Sequence, residues 1–257
     1  NMKKTTLIIL IALSLFACRK TSPTSIPENA LEVTESNMAV IAKRTATWCS
    51  ACGSYGFEKF DRMKNEYGDR AAYMAWKTSF VSQEGSRLFD AVGPQFNLGN
   101  TVPTFFYNFN VDAVDSAIMA HINQDYVIAN SNYDMEINGD NIKLRTTTKF
   151  FTEVQGQYYI APYLIVDNIV GMQTGHADGV NTVHSKYVAG IATPIATGIT
   201  RDFGYQITAN GASRGAVMNL DFEIERDVTW KRRDISFALI IFKKESWGLQ
   251  FVNAFTK

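Results

Sequence analysis

The sequence predicts an α/β domain followed by an all-β antiparallel domain. Strand-like and helix-like apolar patterns alternate up to about residue 130, whereas nearly every later apolar run has the pattern of a strand. The chain has 257 residues, of which 46% are hydrophobic, and this is enough for two modest cores. We therefore predict one domain over residues 36–130 and a second over residues 131–257.

The first domain is predicted from six segments in the order strand, helix, strand, helix, strand, helix. Its clearest helix runs from Ser50 to Tyr67, where aromatic residues recur every three or four positions and Gly68 follows as a favoured end residue. The stretch 79–99 is longer than such a domain needs, so we expect a lid or a surface insertion there. The segments are 38–43, 50–67, 71–77, 85–92, 105–107 and 111–130.

The second domain is predicted from alternating strands and one strong hairpin signal. Asn138 to Asn141 is an Asn-Gly-Asp-Asn turn between two alternating runs. Hairpins with polar outer faces favour an antiparallel sandwich of the immunoglobulin-like kind. Residues 170–200 lack clear periodicity and predict a long loop. The strands are 133–137, 142–150, 158–166, 217–224, 235–242 and 249–255.

The N-terminus indicates export and lipid attachment. Lys3 and Lys4 precede an apolar run that is too short to span a bilayer but fits the central part of a signal peptide. The run from Leu15 to Cys18 resembles a bacterial lipobox, and this resemblance implies that Cys18 is acylated. Residues 1–18 would then be the signal peptide with its lipidated cysteine, and 19–35 a flexible tether. An ordinary signal peptide, with Cys18 left as a free thiol, is the alternative.

Cys49 and Cys52 form a C-x-x-C pair at the start of a predicted helix. Two cysteines at this spacing can close a small disulfide ring, and the unpaired N–H groups of a helix start favour a thiolate. We predict Cys49 as an exposed attacking thiol and Cys52 as a shielded resolving thiol. Val102-Pro103 precedes a later strand, where a cis X–Pro bond would present a backbone edge to an incoming polypeptide.

These motifs resemble the thioredoxin superfamily. The resemblance rests on the run from Ala46 to Cys52 and on the run from Val102 to Thr104, covers residues 36–130, and implies a thioredoxin-like domain. The first run also resembles membrane-tethered thiol–disulfide members of the superfamily. Beside the two catalytic cysteines, the resemblance implies the supporting residues Trp48, Val102 and Pro103.

The layout of the whole chain resembles the family of bacterial outer-membrane lipoproteins of about 28 kDa. That layout is a lipobox, a thioredoxin-like domain and a β-rich C-terminal half. The resemblance implies an outer-membrane lipoprotein, and we expect it to face the periplasm.

Lys43 departs from the superfamily pattern, which places an acidic or amide residue six positions before the first cysteine to accept a proton. A cation near the pair would favour a thiolate by its charge. An amine would accept a proton only if its own pKa fell. We include Lys43 among the supporting residues, and the alternative is a strand-end lysine whose ammonium lies in water.

Other interpretations of the cysteine pair stay open. It could be an inert structural disulfide or half of a zinc site, although zinc favours four ligands in two clustered pairs. His176, Asp178 and His184 in the predicted loop could bind a metal, but solvated loop histidines are more common. We expect neither a metal nor a cofactor. The formal net charge of +0, without a basic stripe, gives nucleic-acid binding little support.

The sequence therefore predicts a lipid-anchored thiol–disulfide oxidoreductase of the bacterial cell envelope. Its partners would be protein thiols or disulfides, exchanged through Cys49 and Cys52. The alternative is a non-enzymatic outer-membrane lipoprotein, in which the fold serves as a scaffold for an adhesin, a receptor or an assembly module that binds an envelope partner protein.

Overall fold

A computed structural model describes residues 30–111 and 115–257, so the predicted signal peptide and Cys18 lie outside the described residues. The helices are α1 (Ser50–Gly53), α2 (Tyr55–Tyr67), α3 (Gln83–Gln95) and α4 (Asp115–Ile122). The strands are β1 (Ala39–Ala46), β2 (Ala71–Thr78), β3 (Thr104–Tyr107), β4 (Ala129–Asn138), β5 (Asn141–Phe150), β6 (Tyr158–Val166), β7 (Ile169–Gly171), β8 (Thr182–His184), β9 (Tyr187–Ile191), β10 (Thr193–Pro194), β11 (Tyr205–Thr208), β12 (Val217–Glu225), β13 (Ile235–Glu245) and β14 (Gly248–Phe255).

One mixed sheet joins the two halves of the chain. Its strands lie in the order β14-β13-β6-β9-β2-β1-β3, and β11 also pairs with β6. β1 and β2 are parallel, and β2 also pairs in parallel with β9. β6 is antiparallel to both β9 and β13. Strands from the C-terminal half therefore continue the sheet that β1 and β2 begin.

The predicted fold class is wrong, because the C-terminal half does not form a separate antiparallel sandwich. The sequence predicted an α/β domain and then a separate all-β antiparallel, immunoglobulin-like sandwich, but strands of both halves share one sheet. One apolar core also crosses the two halves, since the rings of Trp76 and Tyr163 meet edge to face at 5.0 Å. Alternation identifies a strand locally and says nothing about which strands it pairs with. The predicted domain boundary between residues 130 and 131 stays a prediction.

The central strands carry a sequence signal for this sheet. β6 and β13 are nearly continuous apolar runs, and most of their residues are buried. A strand that is covered on both faces has such a run, whereas a strand covered on one face alternates. β12 does alternate, and it lies in a smaller sheet of order β10-β12-β5-β4. That sheet contains the predicted hairpin, in which Asn138 pairs with Asn141.

The helices differ from the prediction in three places. The predicted helix over 50–67 is interrupted at Ser54, whose backbone is not helical, so α1 and α2 are separate. The described part of the predicted helix over 111–130 ends at Ile122. The stretch 79–99 is not a lid, because α3 buries Leu88 and Val92 in the main core.

Within the described ranges, no helix combines the length and the apolar character that crossing a bilayer requires.

The position of α2 explains how two lysines become buried. On one face of β1 and β2, Ile41 and Tyr73 pack against Phe60 of α2. Side chains two residues apart in a strand share a face, so Lys43 lies on the α2 side as well. Lys77 is on the same side, because its register partner in β1 is two residues after Lys43. The sheet therefore carries both lysines beneath α2.

Candidate functional site

The two cysteines form a disulfide at the start of α1. The S–S distance is 2.24 Å and the Cα atoms are 5.2 Å apart. Cys49 is the N-cap of α1, and the backbone N–H of Cys52 donates to its Sγ at 3.1 Å. Cys52 is fully buried, and Cys49 retains 7% exposure. Cys49 is thus less exposed than the sequence predicts, because two other segments of the chain contact residues 46–52, which we call the disulfide loop.

The first of these segments is Val102-Pro103, just before β3. Its peptide bond is cis, and the carbonyl oxygen of Val102 lies 3.5 Å from the Sγ of Cys49. Val102 packs on an apolar cluster that contains both cysteines. Gly56 of α2 lies on the proline side, where an added Cβ would be 3.4 Å from the Pro103 Cβ. The fold therefore brings the predicted proline companion to the disulfide.

Trp48 gives this region an exposed apolar side chain. It immediately precedes Cys49 and is 63% exposed. Tyr55, at the start of α2, is also exposed, and its ring contacts Phe105 of β3 edge to face at 6.2 Å. Exposed large aromatic residues beside a reactive group are common features of binding surfaces.

Lys43 is buried beneath α2 rather than hydrated. Its side chain is 4% exposed, and its Nζ lies 4.4 Å from the ring centres of both Phe57 and Phe60. The ammonium also donates to the carbonyl oxygen of Gly56 at 3.4 Å. Burial lowers the pKa of Lys43 from 10.5 to about 7, and the charge of Asp61 partly opposes this shift. The alternative of an ammonium in water is therefore wrong.

Lys77 is held by two side chains from the hairpin formed by β7 and β8. Its Nζ donates to Oε1 of Gln173 at 2.8 Å and lies 2.8 Å from Nδ1 of His184. Because an ammonium only donates, Nδ1 accepts, and the His184 Nε2–H points to the Gly171 carbonyl at 3.3 Å. Burial and the nearby Lys43 charge lower the pKa of Lys77 to about 7. Burial and the Lys77 charge lower the pKa of His184 to about 3.

Gln173 connects this network to the disulfide loop. It is fully buried, and its Nε2 donates to the carbonyl oxygens of Ala46 at 3.0 Å and of Cys49 at 3.1 Å. The next residue, Thr174, donates its backbone N–H to the Thr47 carbonyl at 2.8 Å. The β7–β8 loop is therefore the second segment that covers the disulfide.

Two glycines allow the backbones of this loop and of α1 to touch. An added Cβ at Gly53 would lie 2.1 Å from the carbonyl oxygen of Thr174, and one at Gly175 would lie 2.3 Å from that of Ser50. Close approach of two backbones is one of the uses of glycine. The sequence analysis did not identify Gln173 or Lys77 as site residues. Gly53 and Gly175 are the sequence signal for the close contact between α1 and the β7–β8 loop.

His176, Asp178 and His184 do not form a metal site together. Nδ1 of His176 lies 3.6 Å from the Asp178 carboxylate, whereas His184 faces Lys77. The two histidine rings instead both contact the ring of Phe57, with ring centres 4.7 and 5.6 Å away. Across residues 30–111 and 115–257, no group of three or more His, Cys, Asp or Glu side chains is arranged to hold a metal ion.

Comparison with known proteins identifies a solved structure with a similar fold. No family model and no curated protein matches the sequence. The chain is similar to the solved structure of HBP35 of Porphyromonas gingivalis, with a TM-score of 0.67 and 17% identity over 88% of this chain and 76% of that one. At this identity the likeness shows a shared fold alone.

A second solved structure is a domain of the outer membrane lipoprotein Omp28 from Porphyromonas gingivalis. The TM-score is 0.30 and the identity 9%, over 51% of this chain and 86% of that one. A similarity at this level supports no argument about the present chain.

Proposed function

We propose that this protein is a thiol–disulfide oxidoreductase that exchanges disulfides with protein thiols through Cys49 and Cys52. The observation that carries the proposal is the position of the Val102 carbonyl, which lies 3.5 Å from the Cys49 sulfur beside a cis proline. A strand-like backbone edge next to a disulfide offers hydrogen bonds to an incoming polypeptide. The resemblance of both motifs to the thioredoxin superfamily supports the same reaction.

The exchange needs no cofactor, because the disulfide itself is the oxidant. A substrate thiolate attacks the Sγ of Cys49, the Cys49–Cys52 bond breaks, and Cys52 leaves as a thiolate. A second substrate thiolate then attacks the substrate sulfur of the mixed disulfide, and Cys49 leaves. Two substrate thiols become one disulfide, and the protein ends with two reduced cysteines. The reverse sequence reduces a substrate disulfide.

The contact between Cys49 and the backbone of α1 supports the assignment of the attacking sulfur. The N–H of Cys52 already donates to the Cys49 Sγ, and the same donor would stabilise a thiolate there. Cys52 is fully buried and is suited to resolve the mixed disulfide from within. Trp48 is the exposed apolar side chain beside the reacting sulfur, and we assign it to substrate contact.

The lipobox resemblance at Cys18 supports a proposal for the cellular location of the protein. We propose a lipid-anchored outer-membrane protein of the bacterial envelope whose redox site faces the periplasm. In that compartment protein thiols and disulfides are available as partners. Protection of the chain from protease added to intact cells would support the periplasmic face, and digestion would contradict it.

Trapping of mixed disulfides tests the function. Cys52→Ser leaves Cys49 able to attack but removes the resolving thiol, so covalent adducts with envelope proteins should accumulate on non-reducing gels. Cys49→Ser is the matched control and should give no adducts, although it also retains one free cysteine. Equal adduct levels in the two variants, or none in either, would contradict the proposal.

A second candidate is a non-enzymatic binding module with a structural disulfide. One observation favours it: Cys49 retains 7% exposure, and the backbone of the β7–β8 loop packs against its turn. The reduction potential separates the two candidates. A value below about −300 mV is typical of a structural bond, and a value between about −270 and −120 mV is typical of a catalytic couple.

A further inference from the structure

The β7–β8 loop contacts the disulfide loop through one buried amide. Gln173 lies 124 residues from Cys49 in the sequence, yet its Nε2 donates to the Cys49 carbonyl. It also donates to the Ala46 carbonyl, so it is bonded on both sides of the turn that leads to Cys49. The amide is fully buried, and a buried amide without these partners would carry a desolvation cost.

The chemistry of its neighbours fixes the orientation of this amide. The protonated Lys77 donates, so the atom of Gln173 that faces it is the acceptor Oε1. Backbone carbonyls can only accept, so the atom that faces Ala46 and Cys49 must be the donor Nε2. Both constraints give the same orientation of the amide. Its oxygen is anchored by Lys77, and its nitrogen holds the turn.

Backbone contacts hold the same loop at the same place. Thr174 donates to Thr47, and the absence of a Cβ at Gly53 and at Gly175 allows α1 and the loop to meet. The position of Gln173 is therefore set by packing that does not depend on its own hydrogen bonds. Replacing its amide should remove the hold on the turn and leave the loop in place.

We propose that Gln173 is a positioning residue that holds the turn before Cys49 in the conformation in which its sulfur meets Cys52. The proposal rests on the proposed function, since it concerns the same cysteine couple. The two hydrogen bonds from Gln173 hold the turn in the conformation that the disulfide requires. This preorganisation lowers the entropy cost of closing the ring and so favours the disulfide over the dithiol. Without it the turn moves more freely, and the effective concentration of one thiol at the other falls.

The equilibrium between the cysteine couple and dithiothreitol tests the proposal. The full chain is incubated in buffers of defined reduced-to-oxidised dithiothreitol ratio, and free thiols are alkylated and counted by mass spectrometry. Gln173→Met keeps the length of the side chain but removes both Nε2 donors and the Oε1 that accepts from Lys77. We expect its disulfide to form about tenfold less favourably than that of the unchanged protein, a rise of about 30 mV in reduction potential.

Two further variants keep the test decisive. Gln250→Met makes the same change at an exposed position of β14 and should leave the equilibrium unchanged. Lys77→Met leaves the Gln173 donors but removes their anchor, and we expect a smaller shift in the same direction. If both buried variants keep a native circular dichroism spectrum and neither shifts the equilibrium, the proposal is overturned.

An assay of disulfide exchange with a reduced protein substrate, added to the dithiothreitol equilibrium, separates this proposal from the proposed function. Exchange with a reduced protein substrate in the unchanged chain, together with no shift in Gln173→Met, would overturn the positioning role alone. A shift in Gln173→Met, together with no exchange in the unchanged chain, would support the positioning of the disulfide and contradict the oxidoreductase.

Discussion

Two segments flank the disulfide loop, and they differ in how they are built. The Val102-Pro103 flank places the Val102 carbonyl beside the sulfur of Cys49. The Gln173 flank instead places hydrogen-bond donors against backbone carbonyls and brings two backbones into contact. The first flank contacts the Cys49 sulfur, and the second holds the turn that precedes this cysteine.

A short sequence motif predicts contacts between neighbouring elements, but it does not predict contacts with a segment that reaches the site through the sheet. Val102-Pro103 belongs to the same run of elements as the cysteines, so its place is implied by the order of the strands and helices. Gln173 reaches the site only because β6 and β9 extend the sheet beyond β2 and carry the β7–β8 hairpin to α1. The motif predicts the disulfide pair, and the topology of the sheet decides which distant segment contacts it.

The largest expected effect comes from filling the backbone contact on the Gln173 flank. A Cβ at Gly53 would lie 2.1 Å from the Thr174 carbonyl oxygen, which is a backbone atom and cannot move aside alone. Gly53→Ala should therefore displace the loop and lower the free energy of unfolding by about 3 kcal/mol, as overpacking of a tight contact does. Urea denaturation of the oxidised protein measures the change.

Gly56→Ala is the matched control on the proline flank. Its Cβ would meet Pro103 at 3.4 Å, an ordinary contact, and alanine is favoured over glycine inside a helix by about 1 kcal/mol. We expect unchanged or slightly raised stability. Equal destabilisation by the two alanines would contradict the contrast between the flanks.

The sequence predicts the cysteine pair that the structure joins in a disulfide, and most of the strands, for physical reasons that are local. A C-x-x-C pair before a helix and an X-Pro before a strand are properties of a few neighbouring residues. The same holds for the Asn138–Asn141 turn, which forms the hairpin as predicted. Sheet membership is not local, and the interpretation of β6 and β13 as sandwich strands failed because their continuous apolar runs belong to a sheet covered on both faces.

The burial of the lysines could not be predicted for a related reason. Lys43 stands in an apolar run, and a lysine there usually extends its ammonium to water. Here α2 covers that end of β1, and Phe57 and Phe60 enclose the ammonium. Lys77 and His184 come together only through the hairpin, so no spacing in the sequence relates them.

A smaller effect is expected from removing the buried charge of Lys43. The folded pKa is about 7 and the ordinary value is 10.5, so below pH 7 both states are protonated and the cost of burial is fully present. Between pH 7 and 10.5 the folded state loses its proton first, and stability rises with pH. Lys43→Met should therefore raise the free energy of unfolding by about 1–3 kcal/mol at pH 6 and by less at pH 9.

Thermal and urea unfolding at several pH values measure this dependence. Lys77 has a pKa lowered to about 7 as well, so part of the rise with pH should persist in Lys43→Met. Lys244→Met, at an exposed position of β13, is the control and should change stability little at any pH. A gain in Lys43→Met that is as large at pH 9 as at pH 6 would contradict the buried-charge explanation.

The smallest effect on stability, and a selective effect on exchange, is expected at Trp48. Because this side chain is 63% exposed, Trp48→Ala should change the free energy of unfolding by less than about 0.5 kcal/mol. If the indole contacts a polypeptide substrate beside Cys49, the rate of exchange with a reduced protein should fall several-fold, whereas the rate with dithiothreitol should stay the same. Trp247→Ala, at a 71% exposed position in the β13–β14 turn, makes the same change and should alter neither rate. A loss of both rates in Trp48→Ala would indicate a disturbed disulfide loop instead, and it would contradict the assignment of Trp48 to substrate contact.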